Sequence, residues 1–92
     1  MQVFVGGKAE VRIPGEFAGT NWERYEPESV SIFADWVARH PGSLVLDIGS
    51  STGIYSAVAL FAGSNVEAVA FDSDLPSLAA ARRMTKHQWE LG

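Results

Sequence analysis

The chain has 92 residues, of which 47% are hydrophobic and 20% are charged, and it carries a net charge of −4. This size and composition describe one small globular domain, or part of a larger one, and exclude an intrinsically disordered chain. The sequence lacks the basic excess that a nucleic-acid-binding surface requires and the run of ~18–20 apolar residues that a membrane span requires. It also has no cysteine, which disulfides and thiolate metal sites require. We therefore expect a cytoplasmic protein with neither a nucleic-acid partner nor a membrane partner.

The first predicted element is a β-hairpin. Its strands are Gln2–Val5 and Ala9–Ile13, which are rich in residues that favour strands. Gly6 and Gly7 between them suit a tight turn, because glycine readily adopts positive φ angles. A polar loop follows, and we interpret residues 1–26, the hairpin and this loop together, as an accessory segment.

Residues 27–40 are predicted to form a helix. Pro27 suits the first helical turn, where its missing N–H group needs no partner, and His40, followed by Pro41, ends the helix. Apolar residues recur at the spacing of one helical face, and two further apolar residues are expected to widen that face. The first group is Val30, Phe33, Ala34 and Val37, and the second is Ile32 and Trp36.

The rest of the chain alternates strands and helices. The predicted strands are Leu44–Ile48 and Val66–Phe71, and the predicted helices are Ile54–Ala62 and Pro76–Trp89. The first strand is apolar at nearly every position, which is typical of parallel sheets that are covered on both faces. Because a strand–helix–strand crossover makes its two strands parallel, we predict that they are neighbours in one sheet and form the core, with the hairpin and the first helix as accessory elements.

The residues that carry chemistry follow these two strands. Gly49 and Gly53 bracket a loop of small residues, Asp47 stands just before it, and Asp72 follows the second strand. Gly49 leaves no Cβ in the way of a ligand, Gly53 allows close packing where the helix begins, and the loop amides are expected to offer N–H donors to the crevice. Asp72 follows Gly53 by 19 residues, close to the ~20 expected of a ribose-binding acid in a nucleotide-binding βαβ unit.

The spacing of the glycines argues against a dinucleotide. A dinucleotide-binding loop has glycine two positions after the first, and this chain has Ser51 there. A nucleoside with an amino-acid tail fits the loop better than a pyrophosphate does. A fragment of a nicotinamide-dependent oxidoreductase is therefore the weaker alternative, and a non-catalytic interaction module is another.

Three segments of the sequence carry a family resemblance: WERYEPE at 22–28, LVLDIGSSTGIYS at 44–56 and VAFDSD at 69–74. They resemble the N-terminal part of an S-adenosylmethionine-dependent methyltransferase of the Rossmann-like class, and specifically of the FkbM type. The resemblance implies an α/β fold: a partial Rossmann-like methyltransferase fold with a hairpin and a helix before a βαβα unit. The whole chain, 1–92, would then be the N-terminal, cofactor-binding part of one methyltransferase domain, with 27–92 as the helix and the βαβα unit.

The resemblance also implies a cofactor, S-adenosyl-L-methionine, and roles for individual residues. Gly49, Ser50 and Ser51 would line its methionine end. Asp47 would face its amino group, directly or through water, and Asp72 would bind its ribose hydroxyls. Trp22 and Tyr25 are further candidates for contact with the crevice. The cofactor-binding set is therefore Asp47, Gly49, Ser50, Ser51, Gly53 and Asp72.

The implied reaction is methyl transfer to a hydroxyl group of a small molecule or a sugar. This is an in-line displacement, in which positioning of donor and acceptor does much of the work. The family commonly has Ala-Asn where this chain has Ser50-Ser51, and Glu-Pro where it has Asp72-Ser73. The class also has further strands that would hold the acceptor and a general base, so the chain looks like a fragment. We assign no catalytic residue and no metal site, and we predict no methyl transfer by residues 1–92 alone.

The same resemblance places the predicted helices together on one face of the parallel sheet. The other face would then present apolar side chains of the strand Leu44–Ile48, and the sheet edge would present unpaired backbone groups. We therefore expect the isolated chain to self-associate or to be only marginally folded.

Overall fold

The structure is a computed structural model that describes residues 1–88. Within them it contains two sheets of two strands each and three α-helices. The strands are β1 (Gln2–Val5), β2 (Ala9–Arg12), β3 (Leu44–Ile48) and β4 (Glu67–Phe71), and the helices are α1 (Pro27–Arg39), α2 (Ile54–Ala62) and α3 (Leu75–Lys86). The prediction of a mixed α/β fold with a parallel strand pair is confirmed, because β3 and β4 are hydrogen-bonded and parallel. The last helix ends at Lys86, and its predicted end, Trp89, lies outside the described residues.

The hairpin forms as predicted. β1 and β2 pair antiparallel, with Val5 opposite Ala9, and both Gly6 and Gly7 have positive φ angles, +61° and +72°. The N–H of Gly6 also donates to the carbonyl of Trp22 at 2.8 Å, so the turn is tied to the segment that follows. That segment contains two single turns of 3₁₀-helix, Gly15–Phe17 and Trp22–Arg24.

The hydrophobic core lies between the hairpin and the helices. The expectation that the hairpin and the first helix are accessory was wrong. Alternate residues of β1, β2 and the position after β2 point inward, where they meet α1, α2 and α3, while every residue of β3 and β4 keeps some solvent exposure. The buried cluster consists of Val5, Ala9, Val11, Ile13, Trp22, Val30, Ala34, Ile54, Ala57, Val58 and Met84.

Helix α1 buries one stripe and leaves two large apolar residues outside it. Val30, Ala34 and Val37 are buried, as predicted, but Ile32 and Trp36 are exposed, so the expectation that they widen the stripe was wrong. Each residue turns ~100° around a helix axis, which places these two side chains well away from the stripe. Trp36 stacks instead on the ring of His40, at 4.0 Å between ring centroids.

Helix α2 occupies the centre of the molecule. It packs against α1, α3 and β2 and covers the inner face of β3 and β4. It ends at Ala62, as predicted, and Gly63 follows in the capping position. Gly63 has φ −96°, so it does not form a left-handed cap; a Cβ there would collide with Val37 and Val66.

The end of the described chain is anchored to the hairpin by one amide side chain. Gln88 is buried, its Oε1 accepts the N–H of Arg12 at 3.0 Å, and its Nε2 donates to the carbonyl of Arg12 at 2.7 Å. Nε2 also donates to the carbonyl of Met84 at 2.8 Å. The amide therefore gives β2 the pair of hydrogen bonds that a neighbouring strand would give, and it fixes α3 beside the hairpin.

Candidate functional site

The candidate site lies at the carboxyl ends of β3 and β4. Ile48 and Phe71 are opposite each other in the register, and the pairing continues past them, because the N–H groups of Gly49 and Ser50 both donate to the carbonyl of Phe71, at 2.8 and 2.9 Å. Gly49 turns the chain with φ +70°, and a Cβ built there meets nothing within 4 Å. A cleft of about 400 Å³ opens at this point, lined by Ile48, Gly49, Phe71, Asp72 and Ser73.

Asp72 joins the ends of the two strands. Its Oδ2 accepts the N–H of Ser51 at 2.9 Å, and its Oδ1 accepts the N–H of Asp74 at 2.9 Å. These hydrogen bonds, first from Asp74 and then from Ser51, lower the pKa of the Asp72 carboxyl below its ordinary value. Ser51 has a positive φ of +50°, a conformation that costs a non-glycine residue energy and that this carboxylate holds in place. Asp72 is therefore an ionised, oriented acceptor on the wall of the cleft.

Asp47 faces the start of helix α2. Its Oδ2 accepts hydrogen bonds from Oγ of Ser56 at 2.7 Å and from the N–H of Ser56 at 3.3 Å. The residue in the capping position of α2, Gly53, has no side chain that could accept these donors. Asp47 thus supplies from β3 the cap that the helix lacks, and its negative charge lies at the positive end of the helix dipole.

The two glycines of the loop differ in their surroundings. Gly53 has φ +77°, and a Cβ there would come within 2.7 Å of Cα of Ala81, so its predicted role in close packing is confirmed. Gly49 borders the open cleft. Ser50, between them, is buried, and its Oγ has no hydrogen-bond partner among the described residues. A buried hydroxyl without a partner is unusual and marks the loop as a place where a polar group is still to be satisfied.

The predicted loop donors are already in use. The N–H groups of Gly49 and Ser50 bond to Phe71, and that of Ser51 bonds to Asp72, so these three do not point freely into the crevice. The reason is that the strand ladder extends past the end of β3. A ligand in the cleft would therefore contact side chains of this loop, and the space beside Gly49, more readily than these three amides.

An aromatic cluster with an acid stands beside Asp47. The hydroxyl of Tyr55 donates to Oε1 of Glu26 at 2.6 Å, and the rings of Tyr25 and Tyr55 lie 6.4 Å apart. Burial first, and then the hydrogen bond to Glu26, raise the pKa of Tyr55 to about 12. Burial, and then the charges of Glu26 and Asp47, raise the pKa of Tyr25. Tyr25 therefore lies within electrostatic reach of Asp47, on the side where α2 begins.

Two residues of this cluster were missed by the sequence analysis. Glu26 and Tyr55 lie 29 residues apart and meet only in the folded chain. No local pattern marks this pair, since the positive φ of Glu26, +36° just before α1, is visible only in the structure. Trp22, in contrast, does not reach the crevice: it is buried in the core, and its Nε1 donates to the carbonyl of Phe17 at 2.9 Å.

Among residues 1–88, no helix is both long and apolar enough to cross a membrane. The same part of the chain holds no group of three or more His, Cys, Asp or Glu side chains that could bind a metal ion. Comparison of the chain with family models, with curated proteins and with solved structures finds no match. Functional inference therefore depends on the geometry of the site.

Proposed function

We propose that this chain is the cofactor-binding part of an S-adenosylmethionine-dependent methyltransferase with a partial Rossmann-like fold. The observation that carries the proposal is the cleft between Gly49 and Asp72, at the carboxyl ends of two parallel strands joined by a helix. Ligands of open α/β sheets bind at this edge. A volume of about 400 Å³ also falls in the range of small-molecule sites.

Asp72 would hold the ribose. A carboxylate has about four lone-pair positions, and in Asp72 two are used by the N–H groups of Ser51 and Asp74. The remaining positions can accept hydrogen bonds from two ribose hydroxyls. Because two backbone groups already fix the carboxylate, little side-chain freedom is lost when it binds a ligand.

A second group of residues, at the start of α2 and outside the lining of the cleft, suits a cation. Asp47 and Glu26 place two acidic side chains beside Tyr25, and Tyr55 packs against Tyr25. Carboxylates and aromatic faces both attract positively charged groups. The ammonium group of the cofactor's methionine end would therefore lie on this side, near Asp47.

The bound cofactor would supply an electrophilic methyl group, and the described residues would bind and orient it. In the reaction a hydroxyl oxygen of a small molecule or sugar would form the new bond to the methyl carbon, the sulfur–carbon bond would break, and the hydroxyl proton would go to a base. We assign no residue of this chain as that base. The acceptor class, the hydroxyl chemistry and the FkbM type come from the family resemblance alone.

Binding of S-adenosylhomocysteine, measured by calorimetry and by the melting temperature, tests the proposal. A ligand that binds only the folded chain raises its melting temperature. Asp72→Ala should weaken binding by about 10- to 150-fold, the range for hydrogen bonds to a charged group. Asp35→Ala is the matched control, because Asp35 is an exposed acid of α1 paired with Lys8 at 3.1 Å. Equal effects of the two variants would contradict the assignment of Asp72, and tighter binding of NADH would favour the oxidoreductase.

A non-catalytic interaction module is a second candidate. The observation that favours it is the internal use of the N–H groups of Gly49, Ser50 and Ser51, which satisfies these amides without a ligand. In that case neither S-adenosylhomocysteine nor NADH would change the melting temperature.

A further inference from the structure

Within residues 1–88, one face of the parallel sheet is uncovered, and we call it the outer face. Side chains of β3 and β4 alternate, so Leu44, Leu46 and Ile48 point away from α2, together with Val69 and Phe71. These five apolar side chains are 42% to 73% exposed. The strand register places them in three rows of two residues across the strands: Leu46 is opposite Val69, and Ile48 is opposite Phe71. In the third row Leu44 is opposite Glu67, an exposed acid.

The area of the outer face matches what a small dimer needs. At these exposures each of the five side chains leaves roughly 100 Å² of apolar surface open, or about 500 Å² in total. That is the size of the largest apolar patches on monomeric proteins, which are often functional. Two such faces packed together would bury about 1,000 Å², which is the lower limit for a specific interface and the size of weak, transient complexes.

We propose that the outer face binds a second copy of this chain. A twofold axis through the row of Leu46 and Val69 makes the apolar surface complementary to itself. The two sheets would pack face to face about 10 Å apart, as in a β-sandwich. Glu67 lies at one end of the face, four residues from Phe71, so antiparallel packing separates the two Glu67 carboxylates by about 13 Å along the strands. This exceeds the screening length of ~8 Å at physiological salt, whereas parallel packing would stack the two acids.

The outer face is continuous with the candidate site. Ile48 and Phe71 belong to the outer face and also line the cleft. In the antiparallel dimer, Leu44 of the partner subunit would lie over this end of the sheet. The second copy would therefore close the side of the cleft that is open to solvent in the monomer, whichever ligand the cleft takes.

Sedimentation velocity of the 92-residue chain, from low to high micromolar concentration at about 0.15 M salt, tests this proposal. We expect the mass to rise with concentration from 9.9 kDa to twice that value. Leu46→Glu, which places two carboxylates together near the axis, should raise the dissociation constant at least about tenfold. The control is Ile32→Glu: Ile32 is 72% exposed on α1, and its replacement should leave the dissociation constant unchanged.

Several results would overturn the inference. One is a monomer at high micromolar concentration, and another is oligomers that keep growing beyond the dimer, which would indicate pairing through the sheet edges. Dissociation by Ile32→Glu but not by Leu46→Glu would move the interface to α1. Circular dichroism checks that Leu46→Glu is folded, and Val69→Glu, in the same row, is the second variant and should dissociate the dimer equally.

Discussion

The two sheets of this molecule differ in burial, and the more apolar sheet is the more exposed one. The hairpin strands contain polar residues, yet Val5 and Val11 are completely buried. The parallel strands are more apolar, yet none of their residues is fully buried. The difference lies in what covers each sheet. The hairpin meets α1, α2 and the buried amide of Gln88, whereas the parallel pair is covered mainly by α2 on one face. An apolar strand thus indicates that both faces of its sheet can be buried by packing, but it does not show that elements of the same chain bury them.

Side-chain size supports this interpretation. On the inner face of the parallel sheet, under α2, β4 contributes only Ala68 and Ala70. The outer face carries the large side chains, among them Leu46 and Phe71. Small residues let α2 approach the sheet closely, and the large residues are left where only another molecule or segment can pack on them. This distribution of small and large side chains is typical of a parallel sheet that is packed on both faces.

One pair of variants tests the comparison directly and has the largest expected effect. Ile13 follows β2 and is 0% exposed, whereas Ile48 ends β3 and is 73% exposed. Ile13→Ala should lower the free energy of unfolding by about 2–5 kcal/mol, because it leaves a cavity in the core. Ile48→Ala should lower it by less than about 1 kcal/mol. Urea unfolding at low micromolar concentration, where the monomer predominates, measures both. Equal losses would contradict the assignment of the core to the hairpin side.

The loop between β3 and α2 allows a finer test, because one of its ends packs against α3 and the other borders the open cleft. Gly53 and Gly49 both have positive φ angles, but only at Gly53 would a Cβ collide with α3, at 2.7 Å from Cα of Ala81. Gly53→Ala should cost about 2–4 kcal/mol of stability, from backbone strain and overpacking together. Gly49→Ala should cost only the strain, about 1–2 kcal/mol.

Calorimetry then separates stability from ligand binding at these two positions. A methyl group at Gly49 would project into the cleft, so Gly49→Ala should fold and yet bind S-adenosylhomocysteine more weakly than the wild-type chain. Folded Gly49→Ala with unchanged affinity would remove this glycine from the proposed site. Equal loss of stability in the two variants would contradict the prediction that close packing against α3 makes Gly53→Ala the more destabilising of the two.

Much of the secondary structure could be predicted from local patterns. The hairpin strand Gln2–Val5, the strand Leu44–Ile48 and the helix Ile54–Ala62 begin and end where the sequence indicates, since glycines and changes of periodicity mark them. The parallel pairing followed from the crossover rule. The location of the core did not follow, because burial depends on which elements pack together, and no local pattern records that Gln88 binds the backbone of Arg12.

The candidate site shows the same division. The sequence placed Gly49 and Asp72 at one edge of the sheet, and the structure brings both to one cleft. It could not show that Asp72 holds the amide of Ser51, since the two residues lie 21 positions apart. For the same reason Glu26 and Tyr55 escaped notice. Contacts between residues distant in sequence are set by the fold as a whole, whereas roles that require a special backbone conformation, such as that of Gly49, are visible locally.

The smallest expected effect concerns Asp72, the exposed acid on the wall of the cleft. The N–H groups of Asp74 and Ser51 lower the pKa of Asp72 below its ordinary value of 3.8. A carboxyl group whose pKa is lower in the folded chain stabilises the fold above its unfolded pKa, and this contribution is lost as the pH falls through the folded pKa. The free energies of unfolding of the wild-type chain and of Asp72→Asn should therefore differ by a constant amount from neutral pH down to about pH 5, and the difference should shrink in stronger acid. Carbon NMR of the Asp72 carboxyl measures the pKa itself. A value above 3.8, or a difference that grows in acid, would mean that Ser51 and Asp74 do not hold the carboxylate in solution. The proposed ribose contact would then lose the fixed carboxylate on which it depends.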